Sequence, residues 1–149
     1  MAPQQYAIIG AGSLSQKIAT HLYEMDLPFV MLEYNASPFS FQKHFSEKNG
    51  FKYSSYAESS MTDFLIHYCE DPTLISSAVN YYLFPPKVIN KHGTVIINYH
   101  NSLLPQHPGR NAEAWQIYSQ QKEAGVTWHF VDNEIDHGKI IAQESIELE

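Results

Sequence analysis

Asn98 and His100 stand two residues apart at the end of residues 94–98, the strongest strand pattern in the chain. Side chains alternate across a strand, so this pair projects from one side. Open α/β sheets place their sites at the carboxyl ends of parallel strands. An amide beside an imidazole at such an end suits a reaction that develops negative charge on a carbonyl oxygen. Taken alone, the pair favours a structural role, in which Asn98 caps the strand end and His100 hydrogen-bonds locally.

A second polar group consists of His129 and Asp136, and Asp136 lies within an acidic loop at residues 132–138. The composition of this loop, by itself, favours a solvated hairpin connection. A metal site is not predicted, because the histidines lack the short regular spacing of zinc ligands and Cys69 has no partner cysteine.

Gly10 and Gly12 join a predicted strand to a predicted helix, and Glu33 ends the next predicted strand. This arrangement resembles the dinucleotide fingerprint, in which backbone amides hold a pyrophosphate and an acid takes the ribose hydroxyls. Ser15 occupies the place of the third glycine. We therefore favour a tight turn, with or without a role toward an anionic ligand. An NAD(P)-binding Rossmann oxidoreductase stays as an alternative.

The chain has 149 residues, 44% of them hydrophobic, which is enough for one domain with a real core. We predict a single domain over residues 1–149. Nine Lys and Arg residues are scattered among sixteen acidic ones, and the net charge of −7 disfavours a nucleic-acid partner. Cys69 is the one cysteine, and no signal peptide or membrane-length apolar run is evident. We predict a cytoplasmic protein that does not enter a membrane.

The order of the predicted elements indicates a mostly parallel sheet. Apolar runs predict strands at residues 6–9, 29–32, 74–79, 94–98, 126–131 and 139–147. Helices are predicted from residue 14 to before Pro28, at 85–89, and from 112 to about 121; weaker patterns suggest helices at 39–45 and 57–68 and a strand at 51–53. We expect Asn111 to cap the helix that follows it, Trp115 and Ile117 to be buried, and Gly125 to end that helix.

Four stretches keep a common order and common intervals: residues 98–105, 108–111, 125–130 and 136–138. Together they resemble the folate-dependent formyltransferase family, which includes glycinamide ribonucleotide transformylase, methionyl-tRNA formyltransferase and the sugar N-formyltransferases. The match is close from about residue 74 to 147, and the first half agrees in its strand–helix–strand organisation. The resemblance implies an α/β, Rossmann-like fold, with a mostly parallel sheet, helices on both faces and an antiparallel C-terminal strand pair.

The resemblance further implies an enzyme that transfers a formyl group from 10-formyltetrahydrofolate, its co-substrate, to a primary amine of a small or carrier-bound substrate. The family's catalytic trio falls on Asn98, His100 and Asp136. Its folate-binding positions fall on Tyr82, Leu83, Phe84 and Ile135. Its substrate-binding positions fall on Gly12, Ser13, Ser102, Gly109 and His129. The chemistry requires no metal.

The chain departs from the family pattern within the first motif, just after it, and at its end. Asn101 stands where the family usually has proline, and His107 replaces the usual aromatic or Arg-flanked position. The family's catalytic domain normally runs further than Glu149, so we expect further domains in a longer parent chain. The same fold is also compatible with a non-catalytic formyltransferase-like binding domain, and with an enzyme that hydrolyses the formyl-folate.

Overall fold

The computed structural model describes residues 2–148. The chain forms two compact units, one running to Ile96 and the other beginning at Ile97. The strands of the described residues are β1 (Gln5–Gly10), β2 (Phe29–Tyr34), β3 (Tyr53–Tyr56), β4 (Thr73–Ala78), β5 (Thr94–His100), β6 (Glu123–Phe130) and β7 (Ile140–Glu147). The helices are α1 (Ser13–Glu24), α2 (Phe41–Asn49), α3 (Glu58–Tyr68), α4 (Pro86–Ile89) and α5 (Ala112–Tyr118). A bilayer-spanning helix is not found among the described residues.

The first unit is built on four parallel strands in the order β3-β2-β1-β4. Ile8 of β1 lies opposite Met31 of β2 on one side and Ser76 of β4 on the other. Parallel strands are covered on both faces, which is why residues 7–9 and 30–32 are unbroken apolar runs and are all buried. Each large apolar side chain buried there contributes about 1.5–3 kcal/mol to folding. The predicted parallel sheet is confirmed.

The turn between β1 and α1 depends on glycine at Gly10. Its φ of 139° lies outside the range that other residues adopt readily, and a Cβ there would lie 1.7 Å from the carbonyl oxygen of Ala78. Gly12, with φ 89°, is the N-cap of α1. The glycines are therefore explained by backbone conformation and, at Gly10, by close strand packing.

The second unit contains an antiparallel arrangement of β5, β6 and β7. Strand β5 crosses the boundary between the units, so its residues from Ile97 onward belong here. All eight residues of β7 are exposed, and β6 carries the buried positions Thr127 and His129. The predicted α/β fold, mostly parallel with an antiparallel C-terminal strand pair, is confirmed. The assignment of residues 1–149 to one domain stays a prediction.

The expectations for α5 were wrong in three respects. The helix ends at Tyr118, and Gly125 lies inside β6, where a Cβ would come within 2.5 Å of the Leu103 side chain. Trp115 and Ile117 are 55% and 75% exposed. The residues that α5 buries are Ala112 and Gln116. Asn111 occupies the N-cap position, but its side chain makes no capping hydrogen bond.

The weak patterns in the middle of the first unit located the elements but misplaced their ends. Helix α2 begins after Ser40, whose hydroxyl accepts a hydrogen bond from the backbone N–H of Lys43. It ends at Asn49, and Gly50, with φ 70°, is its C-cap. The strand expected at residues 51–53 begins at Tyr53 and is an edge strand, as β3 lies outside β2.

Candidate active site

The antiparallel register of β5 and β6 places Asn98 opposite His129 and His100 opposite Thr127. The side chains of Asn98 and His129 meet, with 3.2 Å between Nδ2 and Nε2. Nδ1 of His129 lies 2.9 Å from the carbonyl oxygen of Phe130, so it carries the proton of the neutral ring. In that form Nε2 of His129 accepts a hydrogen bond from the Asn98 amide.

Asp136 joins this pair from the loop between β6 and β7. Its Oδ2 accepts a hydrogen bond of 2.6 Å from the backbone N–H of Gly109 and lies 3.5 Å from Nδ1 of His100. Its Oδ1 lies 3.5 Å from Nε2 of His129. The side chains of Asp136, His100 and His129 are 10% exposed or less. The second unit therefore brings together Asn98, His100 and Asp136, and adds His129 and Gly109.

Both ring nitrogens of His100 face polar groups of the protein. Nε2 lies 2.6 Å from the carbonyl oxygen of His107, so this nitrogen donates and Nδ1 faces the Asp136 carboxylate. The Ser102 hydroxyl donates to the Gln106 carbonyl at 2.5 Å. Ser102 thus folds the loop that supplies the acceptor for His100, and its own hydroxyl is used within the protein.

Sequence reasoning missed Thr127, which is fully buried. Its hydroxyl donates to the Ser102 carbonyl at 2.6 Å and accepts from the backbone N–H of Leu104 and from Nε2 of Gln143. A signal was present, because Thr127 and His129 share one face of β6 by strand alternation. A polar residue on the buried face of a strand needs a partner inside the protein.

The charges of Asp136 and His129 support each other. Burial acts to lower the pKa of His129, but hydrogen bonds to Asp136 and to the Phe130 carbonyl outweigh it and raise that pKa. Burial acts to raise the pKa of Asp136, but the hydrogen bond to His129, the Gly109 N–H and the charge of His100 lower it. The carboxylate form of Asp136 is therefore favoured at neutral pH.

Comparison with known proteins decides the family. The family model for formyl transferases matches residues 31–149. This chain belongs to the formyl transferase family. The predicted resemblance is confirmed.

Two formyl transferases that are similar in sequence align with about half of the chain. Methionyl-tRNA formyltransferase of Azobacteroides pseudotrichonymphae genomovar. CFP2 is 45% identical over 76 residues, which are 51% of this chain and 24% of that protein. Phosphoribosylglycinamide formyltransferase of Bacillus subtilis (strain 168) is 41% identical over 76 residues, 51% of this chain and 39% of that protein. The matched part thus spans well under half the length of either relative.

Solved formyl transferase structures match nearly all of the chain. Glycinamide ribonucleotide transformylase 1 from Symbiobacterium toebii has a TM-score of 0.83 at 23% identity and covers 99% of this chain and 75% of its own. WlaRD, a sugar 3N-formyl transferase solved in the presence of dTDP and 5-N-formyl-THF, has a TM-score of 0.79 at 19% identity and covers 99% and 53%. At these identities the matches show the fold.

The residues that the formyl transferase resemblance assigns to the folate differ in exposure. In the first unit, Tyr82 is 3% exposed, and its hydroxyl lies 2.6 Å from that of Thr62. Leu83 beside it is 65% exposed. Phe84 packs edge-on against Tyr82, at 5.2 Å between ring centroids. In the second unit, Ile135 is 65% exposed. Leu83 and Ile135 thus present apolar side chains, whereas the ring of Tyr82 belongs to the interior of the first unit.

The start of α1 carries two of the residues that the resemblance assigns to the acceptor. Gly12 and Ser13 are exposed, and the first turn of the helix contains no acidic residue. Glu33, the acid of the dinucleotide interpretation, already accepts hydrogen bonds at Oε1 from Ser40 at 2.5 Å and Tyr53 at 2.6 Å. Within residues 2–148, no group of three or more His, Cys, Asp or Glu side chains is placed to hold a metal ion.

Proposed function

We propose that this formyl transferase moves the formyl group of 10-formyltetrahydrofolate to a primary amine. The observation that carries the proposal is the buried cluster of the second unit, in which Asp136 lies 3.5 Å from both His100 and His129, and His129 contacts Asn98. An amide donor, two imidazoles and a carboxylate in one place are the groups that acyl transfer uses. Family membership favours this function over an NAD(P)-binding oxidoreductase.

The reaction forms one carbon–nitrogen bond and breaks another. The unprotonated amine attacks the formyl carbon, and the carbonyl electron pair moves to the oxygen of a tetrahedral intermediate. The bond from carbon to the folate nitrogen then breaks, and the proton lost by the amine is balanced by the proton gained by that nitrogen. Asp136, held as a carboxylate, accepts the amine proton directly or through water.

Asn98 is the donor proposed for the oxyanion. One N–H of its amide contacts Nε2 of His129, and the other is left for a ligand. Protonation of His129 would place a second proton on Nε2, facing Asp136, and release the Asn98 amide from that contact. His129 would then influence the reaction by setting the orientation of the Asn98 amide.

His100 reaches a substrate only by exchanging a contact it already has. Its Nε2 faces the His107 carbonyl and its Nδ1 faces Asp136. As the amine loses its proton, Asp136 is the group that becomes neutral, which weakens its hold on Nδ1. We propose that His100, when both of its ring nitrogens carry protons, donates the Nδ1 proton to the oxyanion or the leaving folate nitrogen at this point, and that the proton which Asp136 took from the amine then replaces it.

The binding residues follow the family pattern. The folate-binding positions proposed from the family are Tyr82, Leu83 and Phe84 in the first unit and Ile135 in the second. The side chain of Tyr82 is buried, and its backbone N–H and carbonyl bond to the Asn80 amide, so we propose that the exposed Leu83 makes the main contact from this segment. Gly12 and Ser13 offer backbone amides at the start of α1 to an anionic group of the acceptor. The remaining acceptor-side positions are Ser102, Gly109 and His129.

The acceptor is proposed to be a small or carrier-bound amine. The relatives named above act on methionyl-tRNA, on phosphoribosylglycinamide and on sugars. The net charge of −7 weighs against tRNA, because binding RNA phosphates requires clustered cations.

The test is a screen of primary amines with 10-formyltetrahydrofolate, read by release of tetrahydrofolate. We expect release that depends on the amine and disappears in a variant with Asn98→Ala, His100→Ala and Asp136→Ala. Release without any amine would show hydrolysis instead. Tight binding of NAD(H) with no binding of the formyl-folate would support an oxidoreductase and overturn the proposal.

A further inference from the structure

His137 follows Asp136 directly, and its imidazole turns back across the loop of residues 132–138. Its Nδ1 lies 2.9 Å from Oδ2 of Asp132, and its Nε2 lies 3.6 Å from Oε2 of Glu134. The imidazole therefore links the end of the loop to both carboxylates at its start. The proposed transfer uses none of the side chains of His137, Asp132 and Glu134.

Two other contacts fix the ends of this loop. Oδ1 of Asp132 accepts a hydrogen bond of 2.9 Å from the backbone N–H of Glu134, which fixes the first turn of the loop. Gly138 is pressed against β6, since a Cβ there would lie 1.6 Å from the Phe130 carbonyl oxygen. Between these fixed ends, the contact of His137 with Asp132 is the side-chain link across the loop.

Asp136 needs such support because its backbone is in an unfavourable conformation. Its φ of 52° lies in the left-handed region, which residues other than glycine adopt at a cost. Its distances to His100 and His129 are both 3.5 Å, longer than good hydrogen bonds. Its short contact is with the Gly109 N–H. The position of the carboxylate therefore depends on the conformation of the loop.

We propose that His137 is a positioning residue: its charged imidazole closes the loop of residues 132–138 and holds Asp136 within reach of His100 and His129. This inference rests on the proposed formyl transfer, in which Asp136 accepts the amine proton. His137 itself touches no reacting group and acts through the loop.

The charges around His137 make its contact with Asp132 dependent on pH. The hydrogen bond to Asp132, and then the charges of Glu134 and Asp132, raise the pKa of His137. The same hydrogen bond lowers the pKa of Asp132. Among the described residues, the charged groups that act on His137 are the carboxylates of Asp132 and Glu134, which both lie in the loop. The link is complete below the ordinary histidine value of about 6.5 and is lost as pH rises through the raised pKa of His137.

The experiment compares kcat/KM of the intact chain with that of three variants from about pH 6 to about pH 9. His137→Gln removes the charge, and His137→Arg keeps a charge that does not titrate. His67→Gln is the matched control, because His67 is an exposed histidine of α3 with Nδ1 3.3 Å from Glu70. The ratio of each variant to the intact chain removes the pH dependence of the amine itself.

We expect His137→Gln to lower kcat/KM roughly two- to fivefold at the acid end, the range that exposed ion pairs contribute. The ratio should approach one as pH rises. His137→Arg should match the intact chain at the acid end and exceed it at the alkaline end, and His67→Gln should have no effect. The proposal would be overturned if the kcat/KM ratio of His137→Gln to the intact chain did not change with pH. It would also be overturned if His137→Arg behaved like His137→Gln.

A second readout does not depend on activity. NMR titration of His129 reports where Asp136 lies, because Asp136 raises the pKa of His129. Removing a nearby positive charge would by itself raise the pKa of His129, so a fall in His137→Gln shows that Asp136 has moved away. An unchanged or higher pKa overturns the positioning role. If the intact chain formylates no amine, the proposed function fails and this titration alone decides the role of His137.

Discussion

The second unit of the chain buries a kind of polar side chain that the first does not. The buried polar side chains of the first unit are small hydroxyls, such as Ser76 and Ser77 on β4, and one amide. The second unit also buries hydroxyls and an amide, and it adds two imidazoles, His100 and His129, beside an acid that is 10% exposed. Hydroxyls can be satisfied by neighbouring backbone, whereas imidazoles beside a carboxylate are costly unless paired. The second unit therefore contains buried titratable side chains that pair with one another, and the proposed function assigns proton transfer to them.

The largest expected effect separates activity from stability. Asn98→Ala in the second unit should lower the formyl transfer rate about 100- to 1000-fold, because one oxyanion donor is lost. Its free energy of unfolding should change little, since the Asn98 amide makes one side-chain contact. Steady-state kinetics and urea unfolding measure the two quantities. A rate within twofold of that of the intact chain would contradict the role of Asn98 as an oxyanion donor.

The next effect lies in the first unit. Ile8→Ala in β1 should lower the free energy of unfolding by about 2–5 kcal/mol, because it leaves a cavity among fully packed neighbours. Its matched control is Ile146→Ala in β7, which is 64% exposed and should change stability by about 0.5 kcal/mol or less. Equal losses in urea unfolding would mean that the exposed strand is as important to stability as the buried one.

A buried threonine should affect both properties at once. Thr127→Val should lower the free energy of unfolding by about 1–3 kcal/mol, because the Leu104 N–H and the Gln143 amide lose an acceptor. The loop beyond Ser102 would loosen, so the transfer rate should fall as well. Ser46→Ala is the control, since that buried hydroxyl lies in α2 and bonds to its own helix. A Thr127→Val variant with unchanged stability would contradict the network.

The smallest effect is in the titration of His129. Its pKa should lie above the ordinary value in the intact chain and fall in Asp136→Asn, as NMR titration would show. A raised pKa in the folded state adds stability that is complete below about pH 6.5 and is lost as pH rises through that pKa. The stability difference between the intact chain and Asp136→Asn should therefore shrink toward alkaline pH. A difference that grows with pH would contradict the pairing.

The sequence predicted the parallel strands because burial on both faces leaves runs such as residues 30–32 without a polar residue. The family resemblance, carried by the order and spacing of separated motifs, implied that Asn98 and His100 lie near Asp136. The register of β5 against β6 was not predictable from either strand alone. For that reason the partners of the site, Thr127 and the His107 carbonyl, appeared only in the structure.

The errors lie where tertiary contacts override local patterns. Gly125 has the residue type of a helix end, yet it lies within β6, where Leu103 and the Glu144 carbonyl leave no room for a side chain. Trp115 and Ile117 have the residue types of a core, yet they are exposed on α5. Residue composition and hydrophobic periodicity do not specify which side chains pack against each other in the folded chain.

The most direct measurement follows the formyl carbon itself. A donor labelled with carbon-13 in its formyl group is mixed with the chain and an amine from the screen, and the label is observed by NMR. We predict that the label leaves the folate and appears as a formamide on the amine, at a rate that Asn98→Ala greatly reduces. Label that appears as formate, or moves to the amine equally fast in the Asn98→Ala variant, would contradict formyl transfer by this cluster.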